Sequence, residues 1–290
     1  MITEALQHIR GIGPARLQKL REDGVRSWHD VVGSPDRLPK PLRSELVDEC
    51  QRSIDAHSRS DISYFVDRLH PRDRWRILHE FFDQASWFDI ETTGLGFDDQ
   101  ITVIVCWHRN QLHTFVEDEN LDDFLDLLDD VRLLVSFNGS TFDVPKLLDG
   151  FHIPDLPCPH IDLRWPCHYR SLQGGLKQIS GRIGIRRPDD LLHADGDLAV
   201  QLWSSWKSTG NQNARRQLLR YCAMDVLLLL PLTAYVADRP YTQPDDFWHQ
   251  LPAAAPIPDD VVADAQRRTL MAHMFGNASP TQLRMRRPRR

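Results

Sequence analysis

The 290-residue chain has few of the features that assign a protein quickly. No apolar run reaches the ~20 residues a membrane helix needs, so no membrane partner is expected. The opening MITEALQHIRGIG lacks the charged-then-apolar pattern of a signal peptide. Cysteine is scarce: five residues, an odd number in no tight framework, fit reduced thiols in a cytoplasm. Excess charge is also small. A formal net charge of −6 argues against a surface coated in basic groups. It leaves nucleic acid open as a substrate, because local patches and bound cations offset a modest negative total. The remaining composition, 41% apolar and 26% charged, is that of an ordinary globular chain with length enough for one large domain or two smaller ones.

What the chain does have is centred on SWFDIETTGL, Ser86 to Leu95. Trp87, Phe88 and Ile90 favour a strand, and Gly94 marks its end. Residues i and i+2 of a strand share a face, so Asp89 and Glu91 project together. Two adjacent carboxylates repel. Either the strand is an exposed edge with solvated acids, or a hard divalent cation relieves the repulsion through oxygen ligands.

Upstream, IRGIGPARLQKLREDGV predicts a helical hairpin. Gly11 and Gly13 flank Ile12, Pro14 sits at a first helical position, Gly24 ends the helix and Ser27 caps the next. The segment from Pro41 to Ile54 predicts a further helix, completing a small module over residues 1–56. Residues 57–84 are expected to be a connection, with HSRSD as linker and Ser63 to Phe82 as a helix. Strands follow at Ile101 to Trp107 and Leu112 to Val116, close enough to form an antiparallel meander with the first. Leu121, Phe124, Leu125, Leu127 and Leu128 keep helical period. A fourth strand is expected from Arg132 to Phe137, then a helix from Phe142 to Leu148 capped by Ser140 or Thr141. Another strand is expected from His160 to Trp165, and helices at Leu176 to Gly181 and Asp197 to Lys207. In SFNGSTFDVPKL, Asp143 falls in a first helical turn, where an acid also gains from the helix dipole.

The last motif, YCAMDVLLLLPL, lies on a long helix beginning near Asn213. Tyr221 and Asp225 are four apart and share a face, and the leucines after Asp225 set it at the edge of a core. A buried carboxylate there asks for a cation or a basic partner. Arg220, five positions earlier, points away. Residues 239–290 are rich in proline and end in RMRRPRR. They read as an extended or disordered tail, either a grip for phosphates or a solvated terminus.

DIETTGL, FNGSTFD and YCAMD, in that order, resemble the motifs of the DEDD (DnaQ-like) 3′–5′ exonuclease superfamily in its tyrosine variant. Within it the chain looks most like the YprB-type branch, over roughly Ser86 to Tyr235. The resemblance implies an α/β fold: a ribonuclease-H-like domain with a mixed central sheet over residues 85–238, preceded by a small all-α domain. It implies two Mg²⁺ or Mn²⁺ ions, about 4 Å apart, held by Asp89, Glu91, Asp143 and Asp225 for phosphodiester hydrolysis. Asp89 would bridge both ions, Glu91 and Asp225 would complete one site, and Asp143 would hold the second ion through water. Tyr221 would orient the attacking water; a phenol titrating near ~10 is a better hydrogen-bond donor than general base at neutral pH. Thr92, Gly94 and Leu95 resemble residues that meet the terminal nucleotide, and Asn138 and Phe142 resemble residues that shape its pocket; each has an equally plain structural reading.

The N-terminal hairpin resembles a helix–hairpin–helix motif, which implies phosphate contact through the backbone of Gly11, Ile12 and Gly13 with Arg16 and Lys19 adding charge. Packing alone, or a protein partner, would use the same residues. Cys158, His160, Cys167 and His168 match no common zinc spacing, and Asp162 among them is not expected to be a ligand. The expected function is therefore metal-dependent trimming of DNA or RNA, single-stranded or with a free 3′ end. A structure-specific endonuclease and a catalytically silent nucleic-acid-binding platform are the alternatives.

Overall fold

A computed structural model describes residues 1–94, 96, 99–192, 194–240 and 247–263. Leu95 and the basic run from Arg284 to Arg290 lie outside the described residues. The chain divides into two units. The first comprises Met1–Asp189 and Cys222–Leu251, and the second comprises Asp190–Tyr221 and the chain from Pro252 on.

The first unit begins with helices α1 (Pro14–Glu22), α2 (Trp28–Gly33), α3 (Arg43–Ser58), α4 (Ile62–Arg68) and α5 (Trp75–Glu80). Pro14 opens α1 behind Gly13, Gly24 takes a left-handed φ of 82° beyond its end, and Ser27 forms a reciprocal capping box with Asp30. The expected start and stop signals all act as such. Trp28 is fully buried, stacks on Phe65 with ring centres 5.6 Å apart, and donates its indole N–H to the Ala5 carbonyl at 2.6 Å. Ile12 belongs to the same buried set, while Gly11, Gly13, Arg16 and Lys19 are exposed. Arg16 folds back to donate to the Gly11 carbonyl at 2.7 Å. Of HSRSD, His57 and Ser58 finish α3 and Asp61 caps α4.

The single helix expected from Ser63 to Phe82 is instead two. His70 precedes Pro71, and a residue before proline is pushed out of the helical region; His70 has ψ 140° and breaks the run between α4 and α5.

The sheet holds β1 (Ala85–Thr92), β2 (Ile101–His108), β3 (Gln111–Val116), β4 (Leu133–Ser136) and β5 (His160–Asp162), in the order β3-β2-β1-β4-β5. The first three strands form the expected antiparallel meander; β4 and β5 join in parallel, so the sheet is mixed. Helices α6 (Asp123–Leu128) and α7 (Asp143–Gly150) provide the crossovers. Phe88 and Ile90 of β1 join Ile104, Phe115, Phe124 and Leu147 in one apolar layer. The alternate residues of β1, Trp87, Asp89 and Glu91, belong to the other face of the strand.

Two further expectations fail in this region. The strand foreseen from His160 to Trp165 stops at Asp162, and α8 (Arg164–Tyr169) follows. Pro166 sits in its first turn, where a missing N–H costs nothing. Neither Ser140 nor Thr141 caps α7. Its N-cap is Phe142, with no side-chain cap, and Thr141 Oγ1 donates instead to the carbonyl of Asn138 at 3.1 Å.

After α8 comes α9 (Leu176–Arg182). The long helix α11 (Gln212–Val236) then contributes its second half to the first unit. By length and apolarity α11 could cross a membrane, but 89% of its apolar window is buried in the protein. Trp87 donates its indole N–H to Thr233 Oγ1 at 2.8 Å, and Thr233 donates to the Leu229 carbonyl at 2.6 Å. This buried relay ties α11 to the face of β1 that carries Asp89 and Glu91.

The second unit contains α10 (Gly196–Thr209) and the first half of α11. Asp195 caps α10, and Gly210 ends it in the left-handed region at φ 72°. Arg220 grips Asp190 at 2.8 and 3.0 Å and donates to the Pro252 carbonyl, so it serves a carboxylate other than Asp225, as its position implied.

Replacing Thr233 with valine leaves the Trp87 indole N–H without its acceptor. Urea unfolding should show a loss of about 1–3 kcal/mol, and an unchanged midpoint would show that the relay does not hold α11. A second expectation concerns acid. Burial pushes His160, which bonds Ser136 Oγ at 2.8 Å, down to about 4. The unfolded imidazole titrates near ~6.5, so from there to about 4 the unfolded state takes up a proton that the folded state refuses. Stability therefore falls as pH drops through that window, by about 3 kcal/mol. The fall should be smaller in His160→Gln, read as the difference between urea midpoints at neutral and acid pH.

Candidate metal-binding site

Asp89 and Glu91 lie two apart near the end of β1, and the register shifts between Glu91 and Thr92 where the strand meets Ile101 of β2. Such bulges re-aim side chains at functional sites. Asp225 comes from the buried part of α11. One ligand oxygen from each of Asp89, Glu91 and Asp225 can be chosen so that all three lie within 4.8 Å of one another.

Asp143 approaches from a third direction, as the first residue of α7, and is 4% exposed. Its Oδ1 accepts the Ile90 backbone N–H at 3.3 Å, tying it to the strand between the other two acids. The loop before it is close-packed. A side chain at Gly139 would place its Cβ 2.0 Å from Ser136 Oγ and 3.4 Å from Asp143 Oδ2, so only glycine passes there.

The electrostatics are those of carboxylates forced together. Burial raises Asp89 well above the usual carboxylate range, and Asp143, Glu91 and Asp225 add to it. Glu91 is raised by burial and then by Asp225. Asp143 is pushed up to about 7 by burial, against the pull of two backbone N–H groups, with Asp162 adding repulsion. Lys177 of α9 opposes the rise at both Asp89 and Glu91. An all-oxygen donor set of this kind suits a hard divalent cation, which would hold the acids ionised. The residues fit such an ion.

The remaining expected residues are distributed as follows. Thr92 is buried and its hydroxyl donates to the Gly94 carbonyl. A Cβ on Gly94 would meet Asp99 Oδ2 at 2.7 Å. Phe142 packs against the apolar layer. Asn138 takes a left-handed φ of 66°, and its side-chain oxygen accepts from Thr141 and from the Arg164 guanidinium. Tyr221 is buried on α11, one turn before Asp225. The four Cys and His residues weighed for zinc form no metal-ligand group among the described residues. Cys158 and Cys167 are buried thiols, pushed up to about 12 by desolvation.

Two contributors had no signal in the sequence. Lys177 is one lysine on a short amphipathic helix, and nothing in LKQIS marks it as facing acids. Asp162 carries no motif that marks it as a loop organiser. Buried at the end of β5, it accepts the backbone N–H groups of Asn138 (2.7 Å), Ser140 (3.1 Å) and Arg164 (2.9 Å). It thereby fixes the loop that delivers Asp143.

A family model described as the RNase_H superfamily matches residues 86–237. Among solved structures, the chain is similar to the family B DNA polymerase from the hyperthermophilic archaeon Pyrobaculum calidifontis, at 16% identity and a TM-score of 0.40. That match covers 53% of this chain and 27% of the polymerase chain. No curated protein matches the sequence.

Mutual repulsion in the metal-free protein makes a further expectation. Asp89→Asn should raise metal-free stability by about 1 kcal/mol or more and remove the rise in Tm that Mg²⁺ or Mn²⁺ gives the parent. A variant that is less stable without metal would show that these acids are not strained, and one that keeps the full metal-dependent rise would show that Asp89 is not a ligand.

Proposed function

This chain belongs to the RNase H superfamily, and we propose that it is a metal-dependent nuclease of the DEDD type, tyrosine variant and YprB-like branch, acting as a 3′–5′ exonuclease. The observation that carries the reading is the convergence of Asp89, Glu91 and Asp225 within 4.8 Å, with Asp143 pinned alongside by the Ile90 N–H. Apolar folding gains nothing from that convergence, whereas ion binding does.

In this proposal Asp89 and Glu91 of β1 and Asp225 of α11 would hold Mg²⁺ or Mn²⁺, and Asp143 beside them would serve a second ion. Bound divalent ions supply a water of lowered pKa and stabilise charge on the leaving 3′-oxygen. The protein's own part is positional. Thr92, Gly94 and Leu95 would meet the terminal nucleotide, Asn138 and Phe142 would shape its pocket, and Tyr221 would orient the attacking water by donating a hydrogen bond. Lys177 moderates the negative charge that would otherwise repel a phosphodiester.

The rest of the chain is assigned on the same footing. Residues 1–56 are a helix–hairpin–helix module in which the Gly11–Gly13 turn, Arg16 and Lys19 contact phosphates. Residues 57–84 link it to the nuclease domain at 85–238, and 239–290 form a basic, proline-rich tail. The substrate is DNA or RNA with an accessible 3′ end.

The test uses the full chain with Mg²⁺ or Mn²⁺ and single-stranded DNA and RNA labelled at the 5′ end. A ladder shortening one nucleotide at a time is expected, with a loss of at least about 100-fold in Asp89→Ala or Asp225→Ala. Internal cuts would move the reading to an endonuclease. Binding without cleavage under either ion would move it to a silent platform.

A further inference from the structure

Helix α8 is built the wrong way round for a helix that only packs. It buries Pro166 and Cys167, and turns Arg164, Trp165, His168 and Tyr169 outward. Trp165 is 44% exposed and Tyr169 36%, two of the seven large apolar side chains exposed among the described residues, on one six-residue helix. The rings form a row. Trp165 meets His168 at 6.4 Å between centres, His168 meets Tyr169 at 5.3 Å, and Tyr169 meets His70 at 6.3 Å. Arg72 lies over the Tyr169 ring at 5.5 Å.

His168 of this row, with Arg164 beside it, lines a cavity of about 540 Å³ whose other walls include Asn138, Gly175 and Leu176. That volume is in the range of small-ligand sites, about 300–1,000 Å³. One wall is the loop that ends in Asp143, and another is the start of α9, whose Lys177 opposes the charge of Asp89 and Glu91. The surrounding sequence is basic. From Leu163 to Pro188 the chain has six Lys or Arg and no Asp or Glu, within a protein of net charge −6.

We propose that Trp165, His168 and Tyr169 of α8, with Arg164 at the cavity, are a stacking platform that holds the unpaired bases of single-stranded nucleic acid beside the carboxylate site. Aromatic faces interleaved with cations suit that ligand because every base offers a π-face and every linkage a phosphate. A duplex keeps its bases stacked on one another and cannot use such faces, so the platform selects single strands. The inference rests on the nuclease reading for its orientation toward Asp143, but the binding it describes is measured without cleavage.

The experiment is fluorescence anisotropy of a 5′-fluorescein thymidine dodecamer with the full-length protein in EDTA. A dodecamer of the same phosphates with abasic sugars runs in parallel. Trp165→Ala with Tyr169→Ala should weaken the thymidine strand about 10- to 100-fold, the paired substitution to phenylalanine by no more than about 3-fold, and the abasic strand hardly at all. Both aromatic positions are exposed, and equal melting temperatures check that the variants fold. An unchanged Kd in the alanine variant, or an equal loss on the abasic strand, overturns the platform. So does a fall in molar mass by light scattering with unchanged binding, which would give the surface to a second copy of the chain. Cleavage by the parent with binding insensitive to the alanine variant would sink the platform alone. Sensitive binding without cleavage in Mn²⁺ would sink the nuclease reading alone.

Discussion

Repulsion between carboxylates is the constraint on which this structure turns. Asp89, Glu91 and Asp225 meet in surroundings dry enough to raise the first two far out of the usual carboxylate range. Nothing in that contact helps folding, so other contacts must hold it. Helix α11 does so with a buried run from Val226 to Leu230 after Asp225, and with the Trp87–Thr233 bond one turn further on. The apolar face of the helix fixes where Asp225 goes, and the alternation of β1 fixes where Asp89 and Glu91 go. The site is a place where stability gained in the core is given up locally in exchange for a preformed set of oxygen ligands.

Asp143 reaches the same place by a different route, through backbone rather than side-chain packing. Asp162 gathers three N–H groups from the loop after β4 and from the start of α8. Gly139 lets that loop pass against Ser136 with no room for a methyl group. Asn138 takes the left-handed turn that reverses the chain. A buried carboxylate with three amide donors is well satisfied, which is why Asp162 organises this loop while the four other acids strain against one another.

Much of this could be read from residue order. Alternation in WFDIE gives the strand and the shared face, and closely spaced apolar runs give the meander. Pro14, Gly24 and Ser27 punctuate the N-terminal helices as expected. The failures have local causes. In HIDLRWPCHY an apolar, aromatic-rich run imitated a strand, whereas Pro166 stands in the first turn of a helix, where it is tolerated. Ser140 and Thr141 had the chemistry of caps, but α7 begins behind Phe142 and the Thr141 hydroxyl turns back to the Asn138 carbonyl. His70 before Pro71 divided a helix whose apolar period ran on regardless.

What the sequence by itself determined is the kind of chemistry available. Two acids two apart on a strand, a third opening a helix and a fourth inside a leucine-rich helix place oxygen ligands on elements whose periodicity is local, so their faces follow from spacing alone. Tertiary structure alone decided that these faces meet, because convergence depends on strand order, on the parallel pairing of β4 beside β1 and on one buried tryptophan. It alone decided that Lys177 tempers the cluster and that Asp162 sets the loop of Asp143. It alone decided that α8 shows its tryptophan and tyrosine to solvent. Each of these depends on which distant residues meet or leave a face uncovered, and no periodicity within a segment encodes its partner in another.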